Sequence, residues 1–331
     1  MNHRQRMERV LSGENPDRVP VAFWRHFPVD DQDPYALMRS TLWFQTTYDF
    51  DLVKVSPSSS FCLRDWGALD EWTGSAEGTR DYRGAVIQRP EDWQRLPRLS
   101  PWQGFLSEYL DALKSLLRTL SPTVPVIQTV FSPLAQARDL VGEENFLLHL
   151  RRYGEELRTG LATIEETTLE FIQAVRELGV DGIFFAVQQA QYGLLSPAEF
   201  EEFGKAFDLP IAELARELPF SVLHIHGQHI LFDPLLSYGF PILNWEQGPG
   251  APNLREGQQR GAKVVCGGLQ RWQTMALGTA QDVSLQAQQA IREMDGKGLI
   301  LGADCVLPVV TPHGNILAAT EAAAGAHGQI R

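Results

Sequence analysis

Cysteine is scarce in this sequence of 331 residues: there are three, an odd number that is too small for a disulfide framework. Such sparing use of cysteine is typical of proteins kept in a reducing compartment. No apolar run approaches the roughly 20 residues that a membrane-spanning helix needs, and the first residues lack the apolar stretch of a secretory signal. These absences predict a cytoplasmic protein.

Basic residues are also few, with 29 lysines and arginines against 41 aspartates and glutamates, and the net charge is -12. Proteins that bind nucleic acids normally carry a basic stripe. None is visible here, because the densest basic cluster, at residues 3–9, is interrupted by Glu8. We therefore expect neither a nucleic acid nor a membrane as partner. An acidic total still permits a small anionic ligand, because a single pocket can be locally basic.

Apolar residues are plentiful enough for a large core, since 44% of the sequence is hydrophobic and 21% is charged. Short apolar runs alternate with longer stretches of helical spacing, a pattern typical of parallel strands that are buried on both faces. Eight runs predict strands, at residues 19–24, 52–55, 124–130, 182–187, 220–225, 242–245, 264–266 and 299–301.

Helical spacing fills the segments between these runs, at residues 2–11, 34–45, 105–120, 143–178, 197–217, 233–238, 254–260, 280–294 and 315–324. The longest of them is expected to break near Gly154 or Gly160. Eight strands with intervening helices predict an α/β fold, a (β/α)8 TIM barrel forming one domain over residues 1–331. A doubly wound sheet competes, but no glycine-rich dinucleotide-binding loop follows the first strand. Residues 57–100 fit neither element and predict an excursion after the second strand, over one mouth of the barrel.

Two histidines stand one residue apart at the end of the fifth predicted strand, in the segment 222–227 (VLHIHG). Because side chains alternate along a strand, His224 and His226 point to the same face. Inward residues at the carboxyl ends of barrel strands form the active site, and the eighth predicted strand ends at the same mouth with Asp304 and Cys305. Two imidazoles, one thiolate and an open fourth position predict a catalytic zinc site.

Each of these residues also has a purely structural interpretation. The histidine pair can line the inner wall of the barrel against an organic ligand, and Cys305 can be a small buried apolar residue. Cys266 lies in an apolar run and is interpreted in this second way, while Cys62 lies in a loop without a nearby partner in sequence.

Polar residues at the ends of other predicted strands extend the candidate site. Asp304 and Glu246 are candidate acid–base groups, or groups that orient a histidine. Arg25 follows the first predicted strand and can hold a carboxylate or phosphate through its two-pronged guanidinium group. Three more residues are candidates for contact with the substrate: Gln188, Gln191 and Trp245.

The sequence resembles the uroporphyrinogen decarboxylase superfamily over nearly its whole length. The likeness begins with the segment 6–20 (RMERVLSGENPDRVP), a helix that ends at glycine and leads into the first strand. It continues at 193–197 (GLLSP) and 223–227 (LHIHG), and it closes at 302–308 (GADCVLP). The resemblance implies a (β/α)8 barrel, in agreement with the strand count. Barrels of this type often form homodimers, so it also implies a homodimer as a candidate assembly.

The superfamily divides by chemistry, and this sequence is more similar to its zinc-dependent methyltransferases than to its porphyrin decarboxylases. Those methyltransferases carry a zinc motif resembling His-x-Cys with a distant cysteine. Here His224 matches the first ligand, His226 replaces the second, and Cys305 stands about one position away from the distant cysteine. The resemblance implies methyl transfer that involves a thiol or a corrinoid, and the corrinoid would be carried by a partner protein.

Two alternatives to methyl transfer stay open. The first is decarboxylation of a tetrapyrrole carboxylate, in which Arg25 and Arg138, the latter standing where the family has a tyrosine, would hold the acid arms of the substrate. The second is a barrel that binds a porphyrin or corrinoid without converting it. In every case the expected ligand of the barrel is a small molecule.

Overall fold

The strands of this computed structural model, which describes residues 1–120, 122 and 124–325, follow the predicted order closely. They are β1 (Val53–Val55), β2 (Asp70–Glu71), β3 (Asp81–Tyr82), β4 (Val126–Phe131), β5 (Gly182–Val187), β6 (Val222–Ile225), β7 (Ile242–Trp245), β8 (Val264–Leu269) and β9 (Leu299–Ala303). Strand β1 and strands β4 to β9 form one curled parallel sheet in chain order. The predicted α/β barrel architecture is confirmed, while the last residues of the predicted domain, 326–331, lie outside the described residues.

The helices are α1 (His3–Leu11), α2 (Pro34–Tyr48), α3 (Gly104–Leu120), α4 (Pro133–Val141), α5 (Glu143–Arg152), α6 (Gly154–Leu178), α7 (Pro197–Phe200), α8 (Ala206–Ala215), α9 (Phe232–Leu236), α10 (Leu254–Arg260), α11 (Ala280–Glu293) and α12 (His313–Gly325). The long predicted helix does break beside Gly154. Helix α4 is missing from the prediction; eight of its nine residues are buried, including the polar Gln136 and Asp139, so polarity does not mark its buried face. None of the helices described is long and apolar enough to cross a membrane.

The first predicted strand forms only isolated bridges, yet its backbone closes the barrel. On the β9 side, Ala22 N donates to Leu301 O (2.9 Å) and Leu301 N donates to Pro20 O (2.8 Å). On the β1 side, Asp51 N donates to Val21 O (2.8 Å). A longer ladder is prevented because Pro20 has no N–H and the Val21 N–H donates to the Asp51 carboxylate (2.8 Å). The first predicted strand, residues 19–24, is therefore corrected: it is not a regular strand but a closing segment, Pro20 to Ala22.

The predicted excursion, residues 57–100, contains the short antiparallel pair β2–β3 and reaches over the carboxyl ends of the barrel strands. Ala76 accepts a hydrogen bond from Val309 N (2.7 Å), in the segment after β9. Glu77 accepts one from the indole of Trp272 (3.0 Å), in the segment after β8. The excursion thus covers the mouth at which β6 and β9 end.

Candidate metal centre

His224, His226 and Cys305 converge at the carboxyl ends of β6 and β9. The Cys305 Sγ lies 3.4 Å from His224 Nε2 and 3.6 Å from His226 Nδ1. The three candidate ligand atoms all lie within 4.8 Å of one another. Sulfur and nitrogen ligands around a tetrahedral zinc stand about 3.5 Å apart, given zinc–sulfur bonds of about 2.3 Å and zinc–nitrogen bonds of about 2.0 Å. This donor set and its spacing fit a zinc ion.

A tight turn after β6 sets the position of His226. Gly227 has a φ of 95°, a conformation that favours glycine. A Cβ at this position would lie 2.3 Å from the side-chain amide carbon of Gln191. That amide donates to Gln188 O at 2.7 Å and so packs directly against the turn. The structure therefore brings Gln191 against the turn that follows His226, and Gln188 takes part through its main-chain oxygen; their roles in substrate binding stay predictions.

Asn244 on β7 fixes the ring of His224, a role that the sequence prediction missed. Its amide nitrogen donates to Cys266 O (2.8 Å) and to Ala303 O (3.0 Å). The amide oxygen therefore faces His224 Nδ1, at 2.6 Å, and accepts its hydrogen. With a hydrogen held on Nδ1, Nε2 is the nitrogen that faces Cys305 and is free to bind a metal.

The electrostatics of the centre favour a thiolate. Burial opposes ionisation of the Cys305 thiol, but His224 and His226 outweigh it and hold its pKa well below the usual value. Burial also lowers the pKa of His226, but the contact with Cys305 raises that pKa overall. Burial raises the pKa of Asp304 to about 7, although Arg271 N donates to its carboxylate. The charge of Glu246 acts on both His226 and Asp304, and the acid–base roles of Asp304 and Glu246 stay predictions.

Two predicted substrate-binding residues make their contacts elsewhere. The side chain of Trp245 is buried, packs on the ring of Phe232 (4.9 Å between centroids) and donates to Pro252 O (2.9 Å). Arg138 on α4 forms an ion pair with the neighbouring Asp139 at 2.9 Å. Packing and charge pairing explain both side chains, and their roles in substrate binding stay predictions.

Arg25 lies beside the closing segment. Its Nε donates to His26 O (3.3 Å), and its guanidinium group lies 5.5 Å from the ring centroid of Phe27. Burial lowers the pKa of Arg25. These contacts do not test the catalytic role predicted for Arg25, which stays a prediction.

Replacing Asn244 with alanine is expected to weaken zinc binding by ~10- to 100-fold, the usual cost of removing a group that orients a metal-binding histidine. The zinc dissociation constant can be measured by competition with a chromophoric chelator. Gln136→Ala is the matched control, because Gln136 is also a buried amide that donates to a main-chain oxygen, Phe131 O (2.9 Å). Equal zinc affinity of the Asn244→Ala variant and the control would contradict the orienting role.

Comparison with known proteins shows the family. The family model of uroporphyrinogen decarboxylase (URO-D) matches residues 75–325. The methylcobamide:CoM methyltransferase MtaA of Methanosarcina barkeri is 25% identical over 213 residues, which cover 63% of this chain and 60% of that protein. MtbA of Methanosarcina acetivorans, also named a methylcobamide:CoM methyltransferase, is 24% identical over 249 residues, which cover 72% of this chain and 69% of that protein. The matched part of the chain thus spans 60% of the length of MtaA.

Solved structures show the same fold. A methyltransferase from Methanosarcina mazei superposes with a TM-score of 0.84 at 20% identity and covers 97% of this chain and 98% of its own. A B12-independent methionine synthase from Shewanella sp. W3-18-1 superposes with a TM-score of 0.57 at 16% identity, covering 94% of each chain. Because the family model matches well over half of the chain, the protein belongs to the uroporphyrinogen decarboxylase (URO-D) family.

Proposed function

We propose that this URO-D family protein is a zinc-dependent methyltransferase that moves a methyl (one-carbon) group from a corrinoid to a thiol. The observation that carries the proposal is the convergence of two imidazoles and one thiolate on a single point. The names of the relatives MtaA and MtbA support a methylcobamide as donor and a thiol such as coenzyme M as acceptor. A corrinoid-carrying protein is then the proposed partner.

The proposed chemistry assigns a task to each side chain of the centre. Zinc held by His224, His226 and Cys305 would keep one position open for a substrate thiol and lower its pKa. Asp304, which precedes Cys305, and Glu246, whose charge acts on His226 and Asp304, are the proposed acceptors of the thiol proton. The thiolate sulfur then forms a bond to the methyl carbon, while the carbon–cobalt bond breaks and leaves its electron pair on cobalt.

The test combines metal analysis with an assay of methyl transfer. Protein purified without a chelator or a histidine tag is expected to contain about one zinc per chain. With methylcobalamin and coenzyme M, it should convert the corrinoid in a zinc-dependent reaction followed by absorbance. Absence of zinc, or release of carbon dioxide from uroporphyrinogen without methyl transfer, would overturn the proposal, and the second result would support the decarboxylase alternative. Porphyrin binding without conversion would support the other alternative, a barrel that binds a porphyrin or corrinoid without converting it.

A further inference from the structure

Lys54 on β1 carries an ammonium group that has no carboxylate partner inside the barrel wall. The residue is 7% exposed, and its Nζ donates to the Ser56 hydroxyl at 2.9 Å. Within the described part of the chain, the charge of Cys305 is the one opposite charge that acts on it, and burial lowers its pKa to about 7. A buried cation without a counter-ion is costly. A ligand that carries a negative charge would offset this cost.

One aromatic ring links Lys54 to the metal centre. The Nζ lies 4.4 Å from the ring centroid of Phe184. The imidazole of His224 stacks on the same ring, with 5.1 Å between centroids and 26° between planes. The ammonium group and a metal-binding imidazole are therefore neighbours of one phenyl ring.

Two more polar atoms around this lysine have no partner in the described residues. Trp24, whose ring centroid lies 5.9 Å from the Lys54 Nζ, has a buried indole Nε1 that donates to nothing. The Nδ1 of His26 is also buried and without a partner. Burial, together with the charge of Lys54, lowers the pKa of His26 to about 4, so its ring is neutral and can donate one hydrogen bond. Unpaired buried polar atoms are rare in folded proteins; here one belongs to a side chain whose ring lies near the ammonium group, and the other to a histidine on which the charge of Lys54 acts.

We propose that Lys54, with Trp24 and His26 as neighbouring donors, binds an anionic group of the substrate while the substrate thiol occupies the metal centre. The inference rests on the proposed function and assigns to Lys54 the selection of anionic over neutral thiols as substrates. The rings of Trp24 and Phe184 keep water from the ammonium group, which strengthens a charge-assisted hydrogen bond to the anion.

Binding of charged and neutral thiols to the zinc-loaded protein tests the proposal. The probes are 3-mercaptopropionate, 2-mercaptoethanesulfonate and the neutral 2-mercaptoethanol, each titrated by calorimetry. Lys54→Met keeps the length of the side chain but removes its charge. It is expected to weaken binding of the anionic thiols by ~10- to 100-fold, the equivalent of one charge-assisted hydrogen bond, and to leave 2-mercaptoethanol within about twofold. Similar weakening of all three thiols, or of none, would overturn the proposal.

The acids without a thiol, propionate and ethanesulfonate, separate this inference from the proposed function. Their binding to metal-free protein, followed by ligand-observed NMR, should be lost in Lys54→Met and kept in Lys205→Met. Lys205 is the matched control because it pairs with Glu201 (3.0 Å) on an outer helical segment. If acid binding depends on Lys54 but the protein transfers no methyl group, the anion site is supported and the methyltransferase function is refuted. Acid binding that survives Lys54→Met would refute the anion site alone.

The stability of the Lys54→Met variant provides a check on folding. Because the substitution removes an unpaired buried charge, we expect its melting temperature to equal or exceed that of the wild type. A folded, stabilised variant that has lost affinity for acids identifies a functional charge kept at the expense of stability. A destabilised variant would indicate that Lys54 supports the barrel wall, and would contradict the proposal.

Discussion

Replacing Cys305 with alanine is expected to abolish stoichiometric zinc binding and to lower the rate of methyl transfer by at least ~1000-fold. The substitution removes the one negatively charged ligand and leaves two imidazoles, fewer than the three protein ligands of catalytic zinc sites. Changing a residue that merely orients a ligand already costs ~10- to 100-fold, so loss of a ligand should cost more. Metal content by atomic emission and the corrinoid absorbance assay measure the two effects separately.

Cys266 supplies the matched control for this experiment. It is a buried cysteine on β8, and burial raises the pKa of its thiol, so that it stays protonated. Cys266→Ala should therefore retain zinc and activity and lose only some stability. If Cys305→Ala keeps its zinc and its activity, or if the two variants lose zinc alike, the metal centre proposed here is wrong.

The barrel could be predicted because its strands are buried on both faces and therefore read as continuous apolar runs. The ends of those runs could also be placed to within a few residues, and alternation of side chains then put His224 and His226 on one face. Cys305 follows the last strand, and the carboxyl ends of parallel strands meet at one mouth. Spacing in the sequence was thus enough to predict that these three residues lie together.

The residues that support the centre depend on contacts between distant segments. Asn244 stands opposite His224 in the register of β6 and β7, which the sequence does not display. The sequence marks Asn244 only as a single amide within an otherwise apolar strand, and it marks Lys54 in a similar way, as a single charge between two valines. The closing segment fails as a strand because Asp51, some 30 residues further on, captures the N–H of Val21. Such a competition cannot be read from local spacing.

Asp51 is the second residue whose loss should have a large effect, in this case on stability. It is fully buried before β1, and its carboxylate accepts hydrogen bonds from Arg6 (2.7 Å), Arg18 (2.6 Å), His3 (2.9 Å) and the N–H of Val21 (2.8 Å). Burial opposes its ionisation, but these donors outweigh burial and lower its pKa. The amino-terminal segment that resembles the URO-D superfamily therefore has a structural role, since it ties α1 and the closing segment to the first strand.

Asp51→Ala is expected to lower the free energy of unfolding by about 3–5 kcal/mol, because it leaves two guanidinium groups without their shared carboxylate. Urea denaturation measures the loss. Asp49→Asn is the matched control, since Asp49 also contacts His3 (3.1 Å) but its side chain is 77% exposed. Asparagine also tolerates the left-handed backbone of that position. A loss in Asp51→Ala no larger than in Asp49→Asn would contradict the anchoring role.

The pH dependence of Asp51→Asn separates charge from packing, because asparagine keeps the shape but does not titrate. The folded pKa of Asp51 lies below its ordinary value, so its contribution is complete above about pH 4 and is lost as the pH falls further. The pKa of His3 is raised above 6.5, chiefly by its hydrogen bond to Asp51, so that contribution is complete below about pH 6.5 and is lost as the pH rises. The stability difference between the wild type and Asp51→Asn should therefore be largest between about pH 4 and 6.5 and shrink on both sides. A difference that does not vary with pH would mean that the carboxylate acts through its shape and neutral hydrogen bonds, and the charge network would have to be abandoned as the link between α1 and the barrel.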